Sequence, residues 1–186
     1  MNLSRAFLAV PLSQAIRERL AEIQSELAQD IRPLSWTNPE TLHLTLHFFG
    51  ELAEENLEKV RVSMLSVGLE KKPFQIDIQG LGVFPNRRRP RVLWLGLTPA
   101  ERLRCLHRAW HTALLKAGLR LTGRTFTPHL TIGRFRRKTD GLEELLEANA
   151  DRWFGCLRID RLVLYESRLT PQRAEHRAVQ TVHLQG

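Results

Sequence analysis

Thr41-Leu42-His43-Leu44-Thr45-Leu46 returns 86 residues later as Thr127-Pro128-His129-Leu130-Thr131-Ile132, identical at four of the six positions. Both copies have the alternating polar and apolar residues of a strand with one buried face. On a strand, residues two apart share a face and the residue between them points away. His43 and Thr45 therefore project together, as do His129 and Thr131, while Leu44 and Leu130 turn into the core. A lone His-x-Thr carries almost no information. Two matched copies imply a duplicated unit whose strands meet, with two imidazoles and two hydroxyls around one cleft.

The remaining segments alternate between two periods. Ile16, Leu20, Ile23 and Leu27 fall on one face of a helix that starts near Ser13, a fitting N-cap. The same reasoning predicts helices through Leu57, Val60 and Met64, through Leu103, Leu106, Trp110 and Leu114 with Gly118 as the stop, and around Leu142, Leu145 and Leu146. Phe74, Ile76 and Ile78 alternate with polar residues as a half-buried strand does, and Met1 to Val10 read as a first strand. Val92-Leu93-Trp94-Leu95 and Leu162-Val163-Leu164-Tyr165 read as strands buried on both faces. Gly80-Leu81-Gly82 and Phe84-Pro85-Asn86 read as turns between antiparallel strands. There are too few regular strand-helix-strand units for a doubly wound sheet, so the expected class is α+β. Helices packed on antiparallel sheets follow, and a pseudo-twofold duplication would bring the two motif strands around one cleft. The Thr98-Pro99 step reads as a boundary between two lobes.

Composition excludes several classes. The chain has 186 residues, 42% hydrophobic, with 28 Lys+Arg against 20 Asp+Glu and a formal charge of +8. That is ordinary for a globular protein and unlike a disordered or collagen-like chain. Cys105 and Cys156, without a CxxC, are too few for a disulfide framework and read as core residues in a reducing compartment. No run approaches the roughly 18 apolar residues of a membrane-spanning helix, and the N-terminus lacks a signal-peptide pattern, so a soluble cytoplasmic monomer is expected. The basic runs Arg87-Arg88-Arg89-Pro90-Arg91 and Arg134-Phe135-Arg136-Arg137-Lys138 favour polyanions such as RNA, although a basic run is more often a solvated face.

Paired imidazoles suit general acid and base work, because the group titrates near neutrality and one ring can accept a proton while the other donates. Threonine hydroxyls suit phosphate oxygens. Hydrolysis of a phosphodiester by in-line attack uses this whole set and calls for no metal and no cofactor. The sequence contains three other histidine groupings. His43 and His47 lie about 13 Å apart along a strand, too far for one ion, so His47 reads as peripheral. His107 and His111 share a helix face without a third ligand and read as solvent-exposed. His176 and His183 carry no pattern. Trp36, Phe48 and Phe84 offer stacking surfaces for a base, yet each reads first as a core residue.

At these motifs the chain resembles the 2H phosphoesterase superfamily, marked by paired H-x-[ST], and within it the RNA 2',3'-cyclic phosphodiesterases, also called 2'-5' RNA ligases. Supporting stretches are Arg5 to Val10, Trp36 to Gly50, Gly82 to Pro85 with Pro90 to Trp94, Thr127 to Arg134 and Leu164 to Pro171. The resemblance implies a bilobal, pseudo-twofold fold in which two antiparallel β-sheets with outer helices flank a central cleft, residues 1–186 forming one such unit. It also implies hydrolysis of a terminal ribose 2',3'-cyclic phosphate to a 2'-phosphate, on RNA or nucleotides. It implies His129 as base on water, His43 as acid for the 3' oxygen, and Thr45, Thr131 and Arg134 as phosphate holders. Arg134 stands five residues beyond His129 and falls on the opposite strand face unless a bulge intervenes. Two other functions fit the same residues: an RNA-end-binding module without significant turnover, and reversible 2'-5' ligation. No P-loop for ATP-driven ligation is present.

Overall fold

The computed structural model describes residues 3–31, 34–121, 125–135, 139–169 and 174–186. The chain runs β1 (Leu3–Pro11), α1 (Gln14–Leu27), β2 (Leu34–Trp36), a 3-10 turn (Pro39–Thr41), β3 (His43–Ala53), α2 (Glu54–Glu70), β4 (Phe74–Phe84) and β5 (Val92–Thr98). It continues through α3 (Ala100–Lys116), β6 (His129–Phe135), α4 (Leu142–Ala148), β7 (Trp153–Ile159), β8 (Arg161–Leu169) and β9 (Ala174–His183). All strand pairs are antiparallel and build two sheets, ordered β3-β1-β8-β9 and β2-β6-β5-β4-β7. The α+β class and the two helix-covered sheets are as the sequence predicts.

The helices form where the apolar stripes fall. Ser13 Oγ accepts a hydrogen bond from the Ile16 N–H and caps α1, which buries Leu20, Ile23 and Leu27 and packs on β7. Glu54 and Glu55 open α2, where carboxylates oppose the positive end of the helix dipole, and Leu57, Val60, Met64 and Val67 form its buried stripe. Helices α2 and α3 lie together on the first sheet, with Phe49 of β3 edge-on to Trp110 of α3.

Lobes and sequence halves do not coincide. The first sheet takes β1 and β3 from the first half of the chain and β8 and β9 from the end. The second takes β2, β4 and β5 from the first half and β6 and β7 from the second. Thr98-Pro99 is thus one of several crossings between lobes rather than a boundary, because β5 belongs to the second sheet and α3 covers the first.

Four local expectations are corrected. Gly80-Leu81-Gly82 lies within β4 at an irregularity of register, not in a turn. Gly80 has φ 81°, and a Cβ there would stand 2.6 Å from the Ala150 carbonyl oxygen, so the α4–β7 connection crosses over this point. The Gly80 and Leu81 N–H groups donate to the carbonyls of Arg152 and Asn149, which explains why the strand survives the irregularity. Val92 to Leu95 is buried on one face only: Leu93 and Leu95 are core, whereas Val92 and Trp94 are half-buried. Cys105 and Cys156 are exposed, each on the outer side of its element. His107 and His111 are half-buried, and the His107 ring stacks on Phe126 at 4.3 Å.

Candidate active site

Leu44 and Leu130 are fully buried beneath the two motif strands, and this anchoring turns the flanking His and Thr side chains outward. His43, Thr45, His129 and Thr131 all line one cleft of about 780 Å³, together with Arg134 and Phe84. A smaller chamber of about 460 Å³ adjoins it at His43 and is lined in part by Arg17, Tyr165 and His176.

The two histidines are held alike. His43 Nδ1 lies 2.8 Å from the Thr41 carbonyl oxygen and His129 Nδ1 lies 2.7 Å from that of Thr127. A carbonyl only accepts, so each Nδ1 carries the hydrogen and donates it. Nε2 is left with the lone pair in the neutral ring, and with the second proton in the cation. Each ring also has aromatic support from its own sheet. Phe7 stacks on His43 at 4.8 Å, and Phe84 stands edge-on to His129 at 4.9 Å with Trp94 behind it at 5.1 Å from Phe84. Gly82 makes room for that indole: a Cβ there would sit 2.2 Å from the Trp94 ring.

Burial dominates the titration of the pair. It lowers His43 from its ordinary 6.5 to about 4, against the opposing pull of the Thr41 carbonyl, and the neighbouring His176 pushes it down further. His129 is lowered as well, by burial, with the Thr127 carbonyl acting against it. Both shifts favour the neutral ring at pH 7, and burial makes His43 resist protonation.

Arg134 reaches the cleft through a bulge. Along the β5–β6 ladder, Leu93 pairs with Gly133 and Trp94 with Thr131, so Ile132 is the extra residue. The parity reverses there, and exposed Arg134, paired with Val92, joins His129 and Thr131 on one face. Buried Gln24 of α1 underpins this irregularity. Its Nε2 donates to the carbonyls of Ile132 and Thr37, both at 2.8 Å, and the Thr37 N–H donates to Ile132 as well.

A second bulge acts on His47. Leu8 pairs with His47 and Ala9 with Thr45, so the strand turns His47 to the helix side, away from His43. There its ring lies 6.3 Å from that of His107, and His107 lies 6.0 Å from His111. Burial lowers His47 to about 4. Among the described residues no group of three or more His, Cys, Asp or Glu could hold a metal ion.

Other expectations fare differently. Phe48 is 67% exposed and lines the cleft, as does half-buried Phe84, so neither is a core residue, whereas Trp36 packs against the core. Arg87 pairs with Glu143 of α4 at 2.7 Å and lies outside the cleft lining. Arg136, Arg137 and Lys138 lie outside the described residues. Among the described residues, the cations that line the cleft are Arg5 and Arg134, with Arg17 in the side chamber. No described helix is long and apolar enough to cross a membrane.

Comparison with known proteins gives the family. The family model for LigT-like phosphoesterases matches twice, over residues 10–94 and 95–175, so that each match holds one histidine motif. Among curated relatives, a protein of Methanothermobacter thermautotrophicus named RNA 2',3'-cyclic phosphodiesterase is 37% identical, covering 90% of this chain and 91% of its own. One of the same name from Aquifex aeolicus is 32% identical over the full length of both. Among solved structures, a Thermus thermophilus protein superposes with a TM-score of 0.80 at 27% identity over 98% of each chain. Escherichia coli LigT in complex with 3'-AMP superposes with a TM-score of 0.74 at 22% identity over all of both chains. With both halves of the chain matched by one model and the two relatives each aligned over 90% or more of both chains, the chain belongs to the LigT-like phosphoesterase family.

Proposed function

We propose that the chain is an RNA 2',3'-cyclic phosphodiesterase that opens a terminal cyclic phosphate to a 2'-phosphate, with residues 1–186 working as one unit. The observation that carries this reading is the matched pair of imidazoles in one cleft, each with Nδ1 tied to a carbonyl and Nε2 free to exchange a proton. His129 Nε2 takes a proton from water as the water oxygen bonds to phosphorus. The P–O3' bond breaks in line, and His43 Nε2 gives its proton to the departing 3' oxygen. The net change is addition of one water, with one proton gained by His129 and one lost by His43, and solvent exchange resets the pair. Thr45 and Thr131 donate hydroxyl hydrogens to phosphate oxygens, and Arg134 opposes their charge.

The partners are RNA or nucleotides ending in a 2',3'-cyclic phosphate, and the names of the curated relatives support this class. Ligation through a 2'-5' linkage is the reverse reaction with a 5'-hydroxyl in place of water, and water's far higher concentration favours hydrolysis. A pure RNA-end binder would have no use for two exchangeable Nε2 atoms.

The test is product analysis on an oligonucleotide with a 2',3'-cyclic phosphate end, in EDTA. The expected product is a 2'-phosphate, and His43→Ala and His129→Ala each lower turnover by about a hundredfold to ten-thousandfold. An unchanged terminus with wild-type protein, or full turnover in either variant, overturns the reading.

A further inference from the structure

A third imidazole faces the cleft, outside the repeat. His176 of β9 pairs with Ser167 of β8, and its ring lies 5.6 Å from that of His43 and 4.9 Å from Phe7, edge-on to both. It lines both the main cleft and the side chamber. Its Nδ1 is buried and has no hydrogen-bond partner among the described residues.

That orphan nitrogen decides the tautomer. A neutral imidazole has one N–H and one bare lone pair, and a buried N–H without an acceptor is the more costly of the two to leave unpaired. The hydrogen therefore resides on Nε2. His43 and His129 have the opposite arrangement, with the hydrogen on Nδ1 and the lone pair on Nε2. Three rings thus line one cleft with complementary faces: two offer a lone pair, and the third offers an N–H.

We infer that His176 is a substrate-binding residue that, in its neutral form, donates an Nε2–H hydrogen bond to an oxygen of the nucleotide held against His43. This deepens the phosphodiesterase reading and rests on it. The acceptor belongs to the terminal nucleotide's phosphate or ribose, since these are the oxygen-bearing groups that chemistry at His43 brings alongside. A neutral donor suits that place, because a second cation beside His43 would hinder the protonation that His43 requires.

Two variants separate donation from packing. His176→Phe keeps a ring against Phe7 and His43 and removes the N–H, whereas His176→Gln keeps an N–H and loses the ring. Calorimetric binding of a 3',5'-dinucleotide, read without turnover, and KM and kcat on the cyclic-phosphate oligonucleotide are measured for each, with thermal unfolding as the control for folding. Expected is an about tenfold weaker Kd and higher KM in His176→Phe at unchanged melting temperature, with most of the loss restored in His176→Gln. Unchanged binding in His176→Phe overturns the proposal, and so does equal loss in both variants with a lowered melting temperature. Wild-type protein that binds the dinucleotide and never turns over the oligonucleotide overturns the phosphodiesterase reading instead, and the binding comparison still stands.

Discussion

Binding a phosphodiester should convert His43 from a ring that resists protonation into one that holds a proton at neutral pH. In the free protein burial lowers it to about 4, so protonating it at pH 7 costs about 4 kcal/mol at 1.36 kcal/mol per pH unit, and about one molecule in a thousand holds the cation. A single negative charge brought to about 4 Å, at an effective dielectric constant of about 20, returns about 4 kcal/mol. The two quantities nearly cancel, so in the proposed mechanism a bound phosphodiester should offset the cost of protonating His43. The perturbation is a saturating 3',5'-dinucleotide, whose diester has one fixed charge across the range. The assay is a nitrogen-15 NMR titration of the imidazoles from pH 4 to pH 8, with and without the ligand. Free His43 should stay neutral down to about pH 5 and should titrate well above that when the site is filled. By linkage the dinucleotide binds more tightly as pH falls, by up to about a thousandfold in total. Free His43 that titrates near its ordinary 6.5 refutes the burial argument. A free ring at the low value that does not move in the filled site refutes the charge argument.

Other outcomes follow from residues away from the reacting atoms. His47 is lowered to about 4 and His107 is lowered too, both mainly by burial. A folded value below the unfolded one means that stability is fully present above about pH 6.5 and is lost as pH falls toward 4. His47 contributes up to about 3 kcal/mol, which its partial exposure reduces to about 1–2. Urea unfolding at pH 7 and pH 4.5 should show this difference shrink in His47→Gln, and an equal difference in both proteins would contradict it. Gln24→Leu strips one donor from each of two carbonyls and should cost about 1–3 kcal/mol in urea unfolding. It should also weaken phosphate binding in the manner of Arg134→Ala; a stability loss with binding intact would separate Gln24 from the bulge. Gly82→Ala drives a methyl into the Trp94 ring and should lower kcat more than it raises KM, because the indole supports Phe84 and through it His129. Unaltered kinetics would show that this stack does not position the histidine. Leu130→Ala should cost about 2–5 kcal/mol in denaturant unfolding, the range for a fully buried leucine, and a smaller loss would mean that the site collapses around the void.

The parts of the site that could be read in advance are those specified by local spacing. His43 with Thr45 and His129 with Thr131 follow from strand parity and a repeat, and the periodic stripes of α1, α2 and α3 follow from one-faced burial. Arg134 depends on the bulge at Ile132, and that bulge rests on Gln24, more than a hundred residues earlier in the chain. No window of sequence contains both. His176 has no counterpart in the repeat, and only the β8–β9 pairing lays it beside His43. Phe48 and Phe84 look like core because an apolar residue on a strand normally is; here their face borders a cleft. His107 and His111 look exposed in sequence but are half-buried, because the helix period fixes which residues share a face but not what packs over them.

The exchange of strands between the lobes bears on how the chain can be divided. A cut between β5 and α3 would give two fragments, each with one of the two motif histidines. The N-terminal fragment would keep β1 and β3 but lose β8, their neighbour in the first sheet, and would keep β4 and β5 without β6 and β7. Each piece would expose unpaired strand edges in both sheets, and neither would own a finished core. The two fragments should therefore be inert apart and recover one cleft only on meeting, which makes this scaffold a split enzyme whose activity reports the proximity of whatever is fused to its halves.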